Sequence, residues 1–581
     1  MKNLIPGLIL LAFAAFVSLA PCQAQWSQDA GVNLAIADRP SDQVTPKVAG
    51  TSTGGCYVAW FDLASGSYDV YLQHLDAEGF ELWAHNGLLI SDHPQMTWLV
   101  DWDLIADSND NAIVLFSDIR DGADLDVYAY KIAPNGGFLW GTDGKTISEN
   151  NDFEPAPRVV ESSNGDLVFV WSRQPDEGDG ALMMQRLSPD GTELFAHGGI
   201  PIVTVPGEDP GFCEMVPSEN GNVIVSWVKD ISTFYSDRYV MAEEFTAAGT
   251  SAWGGSVSVF DATIVPIAHT PRILSDGDGG AIVYWHRSLS DYFNSFVQHL
   301  DTNGSEIFPH NGLSVSTTAG YHHIDPTVSY NTSTGEIYVF WDERNSNQSQ
   351  WGVYGQLFSA DGARLWGAGG FAFEPVNTTY KLAIRSVPVA DDAMVFWIDE
   401  PTGTYGQNRV VGFRTDRSGV RPWGDPPIEV SSHLSSKSGL PLSMDHFGVV
   451  KLIWEDGRNG APDIYGQNVN FNGTLGLCAC TVDNGVADMT RLALNTVLPN
   501  PFSERAVLNF QLPRTADIHL AVYDLGGRRI ATLVDGRYPA GSYNTAWLGL
   551  NDSGERVPSG LYFGRLISEG MISTKKIVYL K

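Results

Sequence analysis

The residues best placed for chemistry are short Asp–Arg pairs near the ends of apolar runs. They are Asp118 with Arg120, Asp342 with Arg344 and Asp456 with Arg458, joined by the lone Asp62 and Asp399. Two carboxylates at a suitable separation suffice for glycoside hydrolysis. The same acids are suited to holding a turn through local hydrogen bonds and ion pairs. Their partial repetition favours turn stabilisation, since a catalytic residue is needed once and a structural pair can be needed in every copy. A less regular set, His93, Trp98, Asp101 and Trp102, precedes one apolar run, and His322, His323 and Asp325 precede another. Adjacent histidines beside a carboxylate suggest a metal. Consecutive side chains on an extended segment point apart, however, so further ligands would have to come from another part of the chain.

These residues, apart from Asp62, Asp399 and Trp102, are the ligand-face candidates; none is assigned a catalytic role. The chain has no H-E-x-x-H and no phosphate-binding G-x-x-x-x-G-K. Its formal charge of −33 excludes a nucleic-acid binder, which needs a basic footprint. No cofactor is expected, although the acidic body leaves room for calcium. Motif content favours a non-enzymatic binding protein, with a glycan or protein as ligand. The rivals are an exported polysaccharide hydrolase or lyase and a structural envelope component.

The elements that position these residues repeat. A tryptophan closes an apolar run at 60, 171, 227, 285, 341, 397 and 454, with Phe116 filling the one gap, so the period is 55–58 residues over eight copies. A turn glycine keeps step at 79, 136, 191, 249, 304, 362, 419 and 473. An aromatic follows it in seven copies, as in Trp83 and Trp366, and the eighth copy lacks it. Each copy holds four strand candidates; in the second they are 102–106, 112–116, 126–132 and 139–147. In the sixth, Asp361-Gly362 reads as a hairpin turn into a strand at Leu365-Trp366. Four short strands per copy describe a propeller blade. The segment Trp26-Ser27-Gln28-Asp29-Ala30-Gly31 followed by 32–37 matches the piece the eighth copy lacks. An all-β chain is therefore expected: an eight-bladed β-propeller at 25–477, closed by its N-terminal strand and monomeric.

Residues 1–24 read as a secretory signal, with Lys2 before an apolar core at 8–17, and no other run approaches a transmembrane helix. Cys56, Cys213, Cys478 and Cys480 are too few for a disulfide scaffold. Cys478 and Cys480 are left as either a local disulfide or two thiols. After a linker at 478–490 the charge changes sign: residues 491–581 carry 11 Lys/Arg against 7 Asp/Glu. Six alternating runs there (507–512, 518–523, 529–534, 543–548, 561–567 and 576–580) read as a small Ig-like β-sandwich.

Ordered motifs give this last region a resemblance. Pro499, Asn500, Pro501 and Phe502, then Tyr523, Asp524, Gly527 and Arg528, then Gly560 and Tyr562, and finally Lys575 and Lys576 resemble the C-terminal sorting domain of type IX (Por) secretion cargo. That domain is similar to the Ig-like domain of flagellar hook-capping (FlgD-like) proteins. The resemblance implies export through the periplasm, engagement of outer-membrane secretion machinery, and a secreted or cell-surface location.

Overall fold

In the computed structural model the described residues are 25–93, 101–120, 124–233, 236–266, 270–288, 292–445 and 447–476, and, C-terminally, 493–498, 502, 506–512, 516–524, 528–538, 541–552, 556–568 and 571–580. The fold is all-β. Through residue 476, antiparallel sheets follow one another along the chain, all but the last built from consecutive strands alone. Among the described residues there are seven of four strands and a last one of five. The first sheet is Gln43–Gly50, Cys56–Asp62, Asp69–Leu75 and Leu88–Ser91. In the last, Val450–Asp456 and Asp463–Val469 take the N-terminal strand Leu34–Ala37 as an edge partner.

The middle strands are buried on both faces, Cys56–Asp62 and Ala112–Asp118 along their whole length. That is why their sequences are apolar at consecutive positions rather than alternating. Each core cluster is shared by two successive sheets: Tyr57 and Phe61 pack with Trp102 and Phe116, and Phe396 packs with Val450 and Trp454. One cluster joins the last sheet to the first, with Trp26, Ile36, Ile453 and Ile464 against Val58 and Trp60. First strands of neighbouring sheets run alongside one another, including Gln43–Gly50 with Leu442–Met444.

The aromatic after each turn glycine does not continue the ladder, which corrects the expected strands at 139–147 and at Leu365-Trp366. A single bridge, Phe358 with Arg364, is followed by departure from the sheet, and the outer strand resumes only at Phe371–Asn377. The second sheet's outer strand is likewise Lys145–Ser148. In several sheets the ring that leaves packs on the next sheet's turn glycine, whereas Gly419 is met by Phe371. A Cβ on Gly191 would lie 2.5 Å from Trp140, one on Gly304 2.5 Å from Trp253, and one on Gly473 2.8 Å from Trp423. Trp26 does the same for the first sheet, 2.7 Å from a Cβ on Gly79.

A buried glutamine on the third strand is the second repeated tie. Gln73 Nε2 donates to the Ala84 carbonyl at 2.9 Å, Gln185 to Ala196 at 2.9 Å and Gln356 to Gly367 at 2.7 Å. In the last sheet Gln467 donates instead to Ser27 in the N-terminal segment, at 2.5 Å.

The C-terminal region forms two sheets. One holds Ala493–Leu498, Ala506–Leu512 and Gly541–Trp547, and the other Ala516–Asp524, Arg529–Tyr538, Gly560–Ser568 and Met571–Tyr579. Between them lies a core containing Leu508, Phe510, Leu520, Trp547 and Leu566. The strand Ala493–Leu498 is additional to those expected. Among the described residues no helix is long and apolar enough to cross a membrane. Cys56 and Cys213 are buried free thiols, pushed up to about 12 by burial. Cys478 and Cys480 lie outside the described residues.

Candidate functional site

The repeated Asp–Arg pairs sit where the second strand of a sheet ends, and each closes on itself. Arg120 meets Asp118 at 2.6 Å and stacks 3.5 Å from the Tyr128 ring. Arg344 meets Asp342 at 2.7 Å, and Arg458 meets Asp456 at 2.6 Å. Asp456 also accepts from Ser435, Trp454 and Lys437, the last at 3.0 Å. Arg458 and Lys437 hold this carboxyl well below its usual range against the effect of burial. Burial in turn lowers the Lys437 ammonium to about 8. Asp342 differs: burial, helped by the Asp325 and Glu343 charges, pushes it up to about 7 despite Arg344, and its buried Oδ1 has no hydrogen-bond donor. Each of these carboxylates is ion-paired with the arginine two residues on, and Asp456 with Lys437 as well.

The two histidines diverge. His322 Nδ1 accepts from the Phe293 backbone at 3.2 Å, whereas His323 faces the Glu343 carboxylate at 2.5 Å, beside Trp341. Asp325 is 62 % exposed, with its carboxylate 3.5 Å from His286. His93 lies 3.9 Å from Asp143, and Trp98 falls outside the described residues. Trp102 is buried, its indole donating to the Thr45 carbonyl at 3.2 Å. Among the described residues no group of three or more His, Cys, Asp or Glu side chains could hold a metal.

Asp101 leads to a feature that the loop motifs do not suggest. One position per first strand lies opposite the residue that precedes the conserved Trp or Phe of the second strand. These positions are Lys47, Asp103, Arg158, Glu214, Arg272, Thr327 and Arg385. In the last sheet Pro441 stands there, its carbonyl accepting from Ile453. The side chains form a charged belt across successive sheets. Lys47 reaches Asp101 at 2.7 Å, Arg158 reaches Asp101 at 2.5 Å and Glu214 at 3.2 Å, and Arg272 reaches Glu214 at 2.5 Å. Burial opposes charge on both acids, yet Arg158 with Lys47 holds Asp101 far below the usual carboxylate range, and Arg158 with Arg272 lowers Glu214. Asp103 is raised by burial and receives the Val159 N–H at 3.0 Å.

Two residues before the belt the backbone is repeatedly left-handed at non-glycine residues: Thr45, Ala156, Phe212, Asp325 and Ala383, with φ between 50° and 53°. That conformation costs roughly 1–2 kcal/mol per residue. Spending it at the same register in five sheets re-aims the first strand beside the belt, as bulges do. Lys47, Arg158, Glu214, Arg272 and Arg385 carry no local motif, because they meet only through the register of separate sheets. The available signal was their near-constant offset of about thirteen residues before the repeating Trp.

In the C-terminal region Phe502 is buried against Trp547 and Tyr579, with ring centroids 5.5 and 4.9 Å away. Asp524 accepts from the Arg528 backbone at 2.9 Å, following Tyr523 on the same strand. Gly560 opens the strand on which Tyr562 donates to the Pro558 carbonyl at 2.8 Å. Lys575 and Lys576 are exposed opposite Gly564 and Phe563. Pro499, Asn500, Pro501 and Gly527 lie outside the described residues.

Residues 498–564 match the FlgD Ig-like domain. No curated protein matches the chain. Among solved structures the chain is similar to puromycin hydrolase at 12 % identity, covering 73 % of this chain and 62 % of that one, with a TM-score of 0.41. It is similar to a PL25 ulvan lyase bound to -[GlcA(1-4)Rha3S]- at 9 % identity, covering 76 % and 96 %, TM-score 0.40. A third is the Penicillium chrysogenum alpha-L-arabinanase complexed with arabinobiose, at 15 % identity, covering 55 % and 94 %, TM-score 0.29. Likeness at these TM-scores carries no argument about activity.

Proposed function

We propose that the chain is an exported, non-enzymatic binding protein. In this reading a cleaved leader, 1–24, precedes an eight-bladed propeller at 25–477 that is closed by the N-terminal strand. A linker at 478–490 leads to a sorting domain at 491–581 that is recognised by type IX-like outer-membrane machinery and delivers the propeller outside the cell. Closure is supported by the N-terminal segment supplying to the last sheet contacts that recur elsewhere in the array: an outer strand on the third strand, a partner for the third-strand glutamine, and an aromatic laid on the next turn glycine, here that of the first sheet. With closure, the charged belt lines the central channel.

The observation that carries the non-enzymatic reading is the ion pairing of Asp118, Asp342 and Asp456, each with the arginine two residues on. A general acid and base need pKa values and positions tuned to a substrate, not to a neighbouring arginine. Thermal unfolding of the mature chain across a panel of glycans, each incubated and analysed for products, tests it. A ligand at 100 times its dissociation constant adds about 2.7 kcal/mol of stability. Stabilisation by a glycan recovered intact is expected; release of cleaved product would overturn the reading.

A further inference from the structure

The belt is charged in the order Lys47, Asp103, Arg158, Glu214, Arg272 over the first five sheets, alternating in sign as a self-neutralising structural network would. The alternation then fails. Thr327 and Pro441 take the two positions where acids would continue it, and Thr327 is buried and bonded to the Ser386 hydroxyl at 3.2 Å. Arg385, flanked by those two sheets, donates to the Ile384 carbonyl at 2.9 Å and forms no ion pair with any described carboxylate. Arg272, in the sheet before that of Thr327, keeps 52 % of its side chain exposed and shares its one acid, Glu214, with Arg158. Tyr284, directly opposite Arg272 on the second strand, makes no side-chain hydrogen bond among the described residues. The nearby acid Asp325 is turned toward His286. Burial and the Arg272 charge both act against the Arg385 guanidinium, offset in part by Tyr284 and Asp325, and no described carboxylate pairs with it directly.

We infer that Arg385 and Arg272, with the Tyr284 hydroxyl, form a binding site for an oxyanion (a carboxylate, sulfate or phosphate group) at the break in the belt. Guanidinium groups bind such anions through paired, charge-assisted N–H donors. Low-dielectric walls focus the local positive field even within an acidic protein. The site deepens the binding-protein reading and rests on it for its place in a channel.

The test is calorimetric titration of the full mature chain with sodium sulfate, sodium phosphate and sodium D-glucuronate, at ionic strength held constant with chloride. Saturable binding with one site per chain is expected for at least one of the three, and which one tells a saccharide carboxylate from a sulfate or phosphate. Arg385→Gln should weaken binding at least tenfold, Arg385→Lys by less, and Arg529→Gln, far off in the C-terminal region, not at all. Should Arg385→Gln fail to fold, Arg272→Gln carries the same expectation. No saturable heat with any anion, or equal affinity in Arg385→Gln, overturns the site. Product release from a glycan would sink the non-enzymatic reading and leave these titrations unaffected, so the two failures are distinguishable.

Discussion

Asp342 shows what repetition costs at a single residue. Its turn copies those of Asp118 and Asp456, but it lacks the extra donors that Asp456 receives, and one oxygen is left orphaned in a buried place. Its carboxyl is raised by burial to about 7. The folded state therefore binds the proton more tightly than the unfolded chain, so this residue's contribution is favourable at low pH. It is lost as pH rises from the ordinary carboxylate value to about 7. Asp342→Asn removes that titration. The difference in melting temperature, variant minus wild type, should rise between pH 4 and 7 and level off above; a flat or falling difference would refute the assignment. The repeated Asp–Arg spacing was legible in the chain because it is local. The belt was not, since its members lie about 56 residues apart and meet only through the register of separate sheets.

At the scale of elements, the aromatic and the turn glycine are one device. The glycine is needed because its φ is positive and because a ring sits where a Cβ would go. Gly304→Ala should cost roughly 1–2 kcal/mol for the left-handed backbone, and roughly 1–3 kcal/mol more for overpacking against Trp253, 2.5 Å away. Gly254→Ala, with φ of 81° and nothing within 4 Å, should show only the first cost in chemical denaturation. Equal losses in the two variants would mean the aromatic contact contributes nothing. The sequence period identified both residues of the device but assigned the aromatic to a strand. Hydrophobicity patterns report burial, and Trp366 is placed by packing on the next sheet, its indole donating to the Arg417 carbonyl at 2.9 Å, rather than by a ladder. Similarly, the strand Ala493–Leu498 escaped notice because it directly follows a linker-like stretch with weak alternation.

For the molecule as a whole, the sandwich and the array of sheets carry separate proposals. Deleting residues 491–581 should leave the protein in the periplasm, seen by fractionation of the producing cells; normal surface delivery of the truncated form would contradict the sorting role. The sheet order was readable from the period alone, and the missing aromatic of the eighth copy pointed to the N-terminal segment that pairs there. The proposed closure rests on that segment. It buries Trp26 and Ile36 between the last sheet and the first, and Asp38 just beyond it meets His85 of the first sheet at 3.0 Å. Glu81 and Asp38 together raise the His85 imidazole to about 9, so this clasp is charged at neutral pH.

Hydrogen exchange read by mass spectrometry, comparing the mature chain with a form lacking residues 25–37, tests closure most directly. Protection should fall on both sides of the seam, in Asp463–Val469, which loses its edge partner, and in Cys56–Asp62 and Asp69–Leu75, which never pair with the deleted strand. Val223–Val228, far around the array, should stay protected. Loss confined to Asp463–Val469, with the first sheet unchanged, would contradict a ring held shut by its N-terminal segment.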